Sequence, residues 1–165
     1  MRPLSLIVLI GVAGFVSGCA EVGLQRIPAG TPAAQVMAAA GPPSEQRTLA
    51  NGVKAWYYES GPLGRTTYRT LFDASDRLIG VEQVLSESHF RTVVANRSSR
   101  DDVLDLFGRP GLIARFPNLG EEVWTYRYRD DTVEMVADDH FDIASGTLRY
   151  CTLYPDPAYA SQGRE

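Results

Sequence analysis

The clearest pattern in the chain is an alternation. Across Val123–Arg129, the residues Trp124, Tyr126 and Tyr128 fall on one side, and Thr125, Arg127 and Arg129 on the other. Period-two alternation predicts a strand with one packed face. Lys54–Glu59 alternates likewise, with Trp56 and Tyr58 against Tyr57 and Glu59. Further strands fit Thr66–Phe72, Leu78–Leu85, Thr132–Ala137 and Thr147–Tyr154. Asp73–Asp76 and Asp142–Gly146 carry the turn chemistry that joins hairpins, and Gly61-Pro62-Leu63-Gly64 reads as another turn between strands.

Helices precede the strands. Thr31 is placed to cap a helix whose first residue is Pro32, where a missing N–H costs nothing. That helix runs to about Ala40 and stops at Gly41-Pro42-Pro43. Ser98 or Ser99 caps a second helix, with Asp101 and Asp102 in the first turn, where the helix dipole favours negative charge. Its apolar residues Val103, Leu106 and Phe107 lie at i, i+3 and i+4, and Gly108-Arg109-Pro110 ends it. A shorter helix is expected over Glu87–Val94, turning Phe90, Val93 and Val94 inward.

These elements occur twice. Val36, Gly41 and Pro43 recur as Val103, Gly108 and Pro110, an offset of 67. Trp56 and Tyr58 recur as Trp124 and Tyr126 at 68, Phe72-Asp73 as Phe141-Asp142 at 69, and Leu78 as Leu148 at 70. Order is kept while the offset drifts by three residues, which reads as a tandem duplication. The expected fold class is α+β: two tandem repeats, each one or two short helices packed on a roughly three-stranded antiparallel sheet. A unit of about 65 residues is marginal alone, so the copies are expected to pack together.

The N-terminus carries a different signal. After Arg2, the stretch Leu4–Val16 is apolar, too short to span a bilayer and of the length of a signal-peptide core. It ends in Val16-Ser17-Gly18-Cys19, which resembles a lipobox: a branched apolar residue, two small ones, then the cysteine that receives lipid. Cleavage before Cys19 and two or three acyl chains on its thiol and amine give a firm anchor, since each buried CH₂ is worth ~0.8 kcal/mol. By resemblance to other bacterial lipoproteins, Ala20 in place of aspartate implies the outer membrane, with the body facing the periplasm. The expected division is 1–18 signal peptide, 19–27 lipid-anchored linker, 28–85 first repeat, 86–156 second repeat and 157–165 C-terminal tail.

Charge and chemistry narrow the function. The formal net charge is −4, and loss of residues 1–18 with their one arginine makes it −5. An acidic chain is a poor nucleic-acid binder. From Arg97 to Tyr159 there are seven basic and twelve acidic residues, so the second repeat carries the whole excess. That is either a solvated face or a surface for a basic partner. With Cys19 lipidated, Cys151 is alone, and strand-like flanks suggest a buried small hydrophobe. Asp138-Asp139-His140-Phe141-Asp142 offers metal-binding residue types, but neighbours on a strand point to opposite faces, so no metal site is expected. No Gly-x-Ser-x-Gly elbow or phosphate loop occurs, and no cofactor, small-molecule substrate or enzymatic activity is expected. The repeated Trp-x-Tyr pairs read as core. Tyr57, Arg127 and Arg129, on the opposite faces, are the candidate partner surface.

A capping residue, then valine, Gly-x-Pro, Trp-x-Tyr and Phe-Asp beside a hairpin turn resembles the BamE-like family, also called SmpA/OmlA. Here the pattern is Thr31, Val36, Gly41, Pro43, Trp56, Tyr58, Phe72 and Asp73, and again Ser98, Val103, Gly108, Pro110, Trp124, Tyr126, Phe141 and Asp142. The resemblance implies helices on a three-stranded antiparallel sheet. It also implies a non-catalytic outer-membrane lipoprotein that binds envelope proteins, with the machinery that assembles outer-membrane barrels as the known partner. The tandem arrangement is similar to that of the β-lactamase inhibitor proteins, whose repeats carry disulfides that Cys151 alone cannot form. This similarity implies the alternative, a periplasmic binding or inhibitor module.

Overall fold

Residues 23–60 and 65–159 are described by a computed structural model of the chain. Among them, α1 (Ala33–Ala40) leads into β1 (Glu45–Thr48), β2 (Lys54–Glu59), β3 (Thr67–Phe72) and β4 (Leu78–Gln83). Then α2 (Glu87–Phe90) and α3 (Arg100–Phe107) lead into β5 (Leu112–Phe116), a 3-10 turn (Pro117–Leu119), β6 (Glu121–Asp130), β7 (Val133–Asp142) and β8 (Leu148–Pro155). The class is α+β: two four-stranded antiparallel sheets, ordered β1-β2-β3-β4 and β5-β6-β7-β8, with few helices.

The two sheets share their strand order and the register of their central pairs. Trp56 faces Thr70, and Trp124 faces Asp139. The register slips once in each, between Leu71 and Phe72 and between His140 and Phe141. Isolated bridges Pro32–Arg77 and Ser99–Thr147 tie each helix start to its hairpin. Even the ring contacts repeat: Trp56 meets Phe72 at 4.5 Å and 51°, and Trp124 meets Phe141 at 4.8 Å and 54°. Such tilted pairs add ~0.5–1.5 kcal/mol each to their burial.

Each sheet has one strand more than expected. The additions are the edge strands β1 and β5, whose sequences show no clean alternation of apolar and polar residues. β6 and β7 are also longer than expected, so Asp138–Asp142 completes β7 and runs straight into the turn that follows it. Ser99 caps α3 in a full capping box with Asp102. Thr31 caps nothing: its hydroxyl donates to the Pro28 carbonyl at 2.7 Å, and Pro32 stands at the α1 N-cap without a side-chain bond. The helix expected over Glu87–Val94 closes at Phe90, which is buried, whereas Val94 is 48% exposed. The first unit starts before Pro28, because Leu24 is buried in its core and Ile27 packs against that core. The turn at 61–64 lies outside the described residues.

Trp56, Tyr58, Trp124, Tyr126 and Tyr128 all turn under the helices and are buried, as their repetition predicts. Leu24, Val36, Trp56, Tyr58, Phe72 and Leu78 form the first core. Phe90, Val103 and Phe107 close the second over β6 and β7, joined by Val84 and Leu85 from the chain leaving β4. Fully burying such a side chain is worth ~1.5–3 kcal/mol.

Candidate interaction surface

The faces of the two sheets opposite their cores have different fates. On the first sheet, Ala55 and Tyr57 point away from the core yet are 0% exposed. What covers them is α3. The Tyr57 hydroxyl donates to the Asp105 carbonyl at 2.7 Å, and Arg69 Nη1 donates to the same oxygen at 2.8 Å. Helix C-termini leave carbonyls without partners, so a hydroxyl and a cation there complete the helix. Arg47 reaches Asp105 at 2.8 Å and Asp101 at 3.5 Å, and Glu45 Oε2 accepts from the Arg109 N–H at 2.9 Å. Burial pushes the Tyr57 hydroxyl up to about 12, so it stays a neutral donor.

Tyr57 is therefore not a partner surface. It is the seam between the units, and the alternation that set it opposite Trp56 did not reveal that a helix of the second unit lies there. Part of the acidic excess is engaged in ion pairs within the protein, although Asp101 keeps 87% of its side chain exposed. Asp101 and Asp105 serve this seam, and Glu122, 2% exposed, sits between Arg100 Nε at 2.9 Å and Arg115 Nε at 2.5 Å. Burial opposes the Glu122 charge, but hydrogen bonds from Trp124 and Arg115 and the charge of Arg100 outweigh it and hold the carboxyl below its usual range.

Among the described residues no helix lies on the equivalent face of the second sheet, although Val123 and Val136 at its middle are buried. Its rows are Leu112–Thr125–Asp138–Thr152, Arg127–Val136–Tyr154 and Ala114–Val123–His140–Tyr150, with Arg129 beside Glu134. Tyr150 is 45% and Tyr154 36% exposed; the side chains of Arg127 and Arg129 are 40% and 55% exposed. Thus Arg127 and Arg129 lie exposed where the sequence placed them, with Arg65 of the first unit reaching the same Glu134 at 3.0 Å. Each is steadied by a carboxylate: Arg127 Nε reaches Asp156 at 3.0 Å, and Arg129 Nε reaches Glu134 at 2.9 Å. Asp138 accepts from Thr125 and Tyr154, both at 2.6 Å, and the His140 ring stacks on Tyr150 at 4.2 Å. A flat set of braced Tyr and Arg side chains suits protein recognition, since little side-chain freedom is lost on binding.

The other candidates part company. Asp139 points into the core while Asp138 and His140 point outward, and no group of three or more metal-ligating residues comes together among the described residues. Cys151 is half-buried on β8, packed against the second core opposite Asp139, and burial with that neighbour pushes its thiol well up, away from the reactive thiolate. Sequence reasoning missed the Glu45–Arg47–Asp105 seam and the β5 edge, where Leu112, Ile113 and Phe116 are about half exposed. The available signal for the seam was the unbroken run Ala55-Trp56-Tyr57-Tyr58, apolar on both faces of β2. Cys19 lies outside the described residues.

No family model matches the chain, and no curated protein matches it. Among solved structures it is similar to a DUF4309 family protein from Bacillus subtilis, with a TM-score of 0.31 and 12% identity over 76% of this chain and 79% of that one. A likeness so slight carries neither fold nor function across.

Proposed function

We propose that the chain is a non-catalytic adaptor of the cell envelope, held by lipid on Cys19 at the periplasmic face of the outer membrane, and built from two copies of a BamE-like unit. In this reading the second sheet's outer face binds an envelope protein, with the barrel-assembly machinery as the first partner to test. The observation that carries it is the contrast between equivalent faces. One is consumed by α3, while the other presents Tyr150, Tyr154, Arg127 and Arg129 to solvent. The inhibitor alternative needs an aromatic concavity running across both sheets. That is disfavoured, because the Trp-x-Tyr aromatics are buried and the first sheet's second face is closed.

The test is a crosslinked pull-down from membranes with the lipidated chain, beside Cys19→Ala and a double variant, Arg127→Glu with Arg129→Glu. Recovery of barrel-assembly subunits that is lost in both variants supports the adaptor. Recovery of a soluble periplasmic enzyme at equal yield with and without lipid sinks it and promotes the inhibitor. Because Arg127 pairs with the buried Asp156, Arg127→Gln with Arg129→Gln is run beside the charge reversal, and circular dichroism of each separates loss of the surface from loss of folding.

A further inference from the structure

The two units also differ at their edges. β1 reads Glu-Gln-Arg-Thr, and its Glu45 and Arg47 are engaged in the seam. Charge on an edge strand blocks pairing with another chain. β5, its counterpart, reads Leu-Ile-Ala-Arg-Phe and pairs with β6 in regular register without a slip. Leu112 is 54%, Ile113 50% and Phe116 45% exposed, and Leu119 just beyond is 65% exposed. This is a regular, largely apolar strand edge, and among the described residues no strand pairs with its open side.

We propose that β5 pairs antiparallel with β5 of a second copy of this chain, about a two-fold axis at Ala114. The sequence of the strand is self-complementary in that register and no other. Residues directly opposite each other share a face, so the axis falls on a residue and not between two. Centred on Ala114, Leu112 lies opposite the second copy's Phe116, twice, on the outer face. The small Ala114 meets itself on the axis. Ile113 lies opposite Arg115, twice, on the inner face. Centring on Arg115 instead brings two guanidinium groups face to face, and centring on Ile113 leaves Phe116 without an apolar partner. Arg115 is 71% exposed and shares Glu122 with Arg100, so its apolar stem lies along Ile113 while its head stays charged in solvent. Pro110 and Pro117 bound the strand at its two ends, which limits the pairing to five residues. Aromatic and aliphatic cross-strand pairs stabilise such a contact, and the isologous geometry closes on itself as a dimer rather than growing into fibres. A strand pair of this length is smaller than a standard interface, so the dimer is concentration-dependent.

The test uses the full chain in mild detergent. Ala114→Cys sets two thiols opposite each other across the axis, within disulfide reach, whereas Leu112→Cys sets its thiol opposite Phe116. Oxidation is expected to give covalent homodimer from Ala114→Cys and little from Leu112→Cys. Charge then gives the sign. Ile113→Glu places a carboxylate opposite Arg115 twice, and Ile113→Lys places a like charge there. Sedimentation velocity is expected to show Kd falling for Glu and rising for Lys, by roughly threefold to tenfold each way. Equal disulfide yield from the two cysteine variants overturns the pairing, as does an indistinguishable Kd for Glu and Lys. So does capture of Ala114→Cys by a different protein in place of its own copy. None of these outcomes bears on the adaptor reading, which rests on Arg127 and Arg129.

Discussion

Asp139 makes the stability of this protein depend on pH in a direction opposite to most carboxylates. It is 0% exposed in the second core, with Trp124 opposite it on β6 and Cys151 opposite it on β8. Neither carboxylate oxygen has a hydrogen-bond partner, and the Cys151 thiol lies beside it without reaching full hydrogen-bond geometry. Burial pushes its pKa up from 3.8 to about 6; the thiol offsets part of this and the charge of Asp138 adds to it. An acid whose folded pKa exceeds its unfolded one binds more protons folded than unfolded. Stability from this group is therefore whole below about pH 4, falls as pH rises through 6, and levels off above. A gap of about two pKa units corresponds to ~3 kcal/mol at pH 7.5, a large part of a typical ~5–15 kcal/mol total. The first unit shows the remedy. Thr70 occupies the equivalent position, opposite Trp56, and its hydroxyl donates to the Trp56 carbonyl at 3.3 Å. Asp139→Thr is expected to gain ~2–3 kcal/mol at pH 7.5 and close to nothing at pH 4. The assay is urea unfolding followed by tryptophan fluorescence, run for parent and variant at both pH values. Taking the difference between them cancels the titration of other carboxylates. A variant-minus-parent difference that is flat with pH, or larger at pH 4, refutes the reasoning.

Other perturbations test the caps, the seam and the buried ion cluster. Ser99→Ala, which breaks the α3 capping box, is expected to cost about 1 kcal/mol, whereas Thr31→Ala stays near neutral because Thr31 caps nothing; thermal unfolding distinguishes the two. Gly108→Ala puts a Cβ 3.0 Å from the buried Tyr57 ring at a φ of +74°, whereas Gly41→Ala, at +81°, meets no atom within 4 Å. Both carry backbone strain of ~1–3 kcal/mol, and the Gly108 variant is expected to lose more Tm by the cost of displacing the ring. Glu122→Gln removes a carboxylate whose pKa is held low in the folded chain, so it is expected to destabilise at neutral pH. It also removes the part of acid destabilisation that sets in as pH falls through the ordinary glutamate range, which a pH series of unfolding curves reads directly.

What could be read from the sequence was what a single periodicity encodes. The Trp-x-Tyr pairs announced their own burial because alternation and repetition agreed, and Ser99 with Asp102 announced a cap because the motif is local. β1 escaped because its burial comes from ion pairs across the seam, and Glu45 and Arg47 read as solvated charge until Asp105 is set beside them. β5 escaped for the opposite reason: both of its faces are largely exposed, so no alternation was needed there. Tyr57 was misplaced because alternation tells only that a residue lies opposite Trp56 and Tyr58. Whether that side meets water or another layer is a long-range fact, hinted at only by Ala55 and Tyr57 being apolar together. Arg127 and Arg129 lie exposed, as alternation suggested, because from Thr125 onward that side of β6 is polar, whereas Val123 earlier on the same side is buried.

The end of α3 is held from two directions: Tyr57 and Arg69 bind the Asp105 carbonyl from one sheet, and Tyr126 binds the Gly108 carbonyl from the other at 2.9 Å. A two-storey stack has one internal floor and one roof, and only the roof can change without loosening the building. Mutations on the first sheet's second face are judged by folding, while those on the second sheet's are judged by whatever meets them outside. The two sheets therefore do different work: one commits its second face to holding the units together, and the other leaves its aromatic and arginine side chains to solvent.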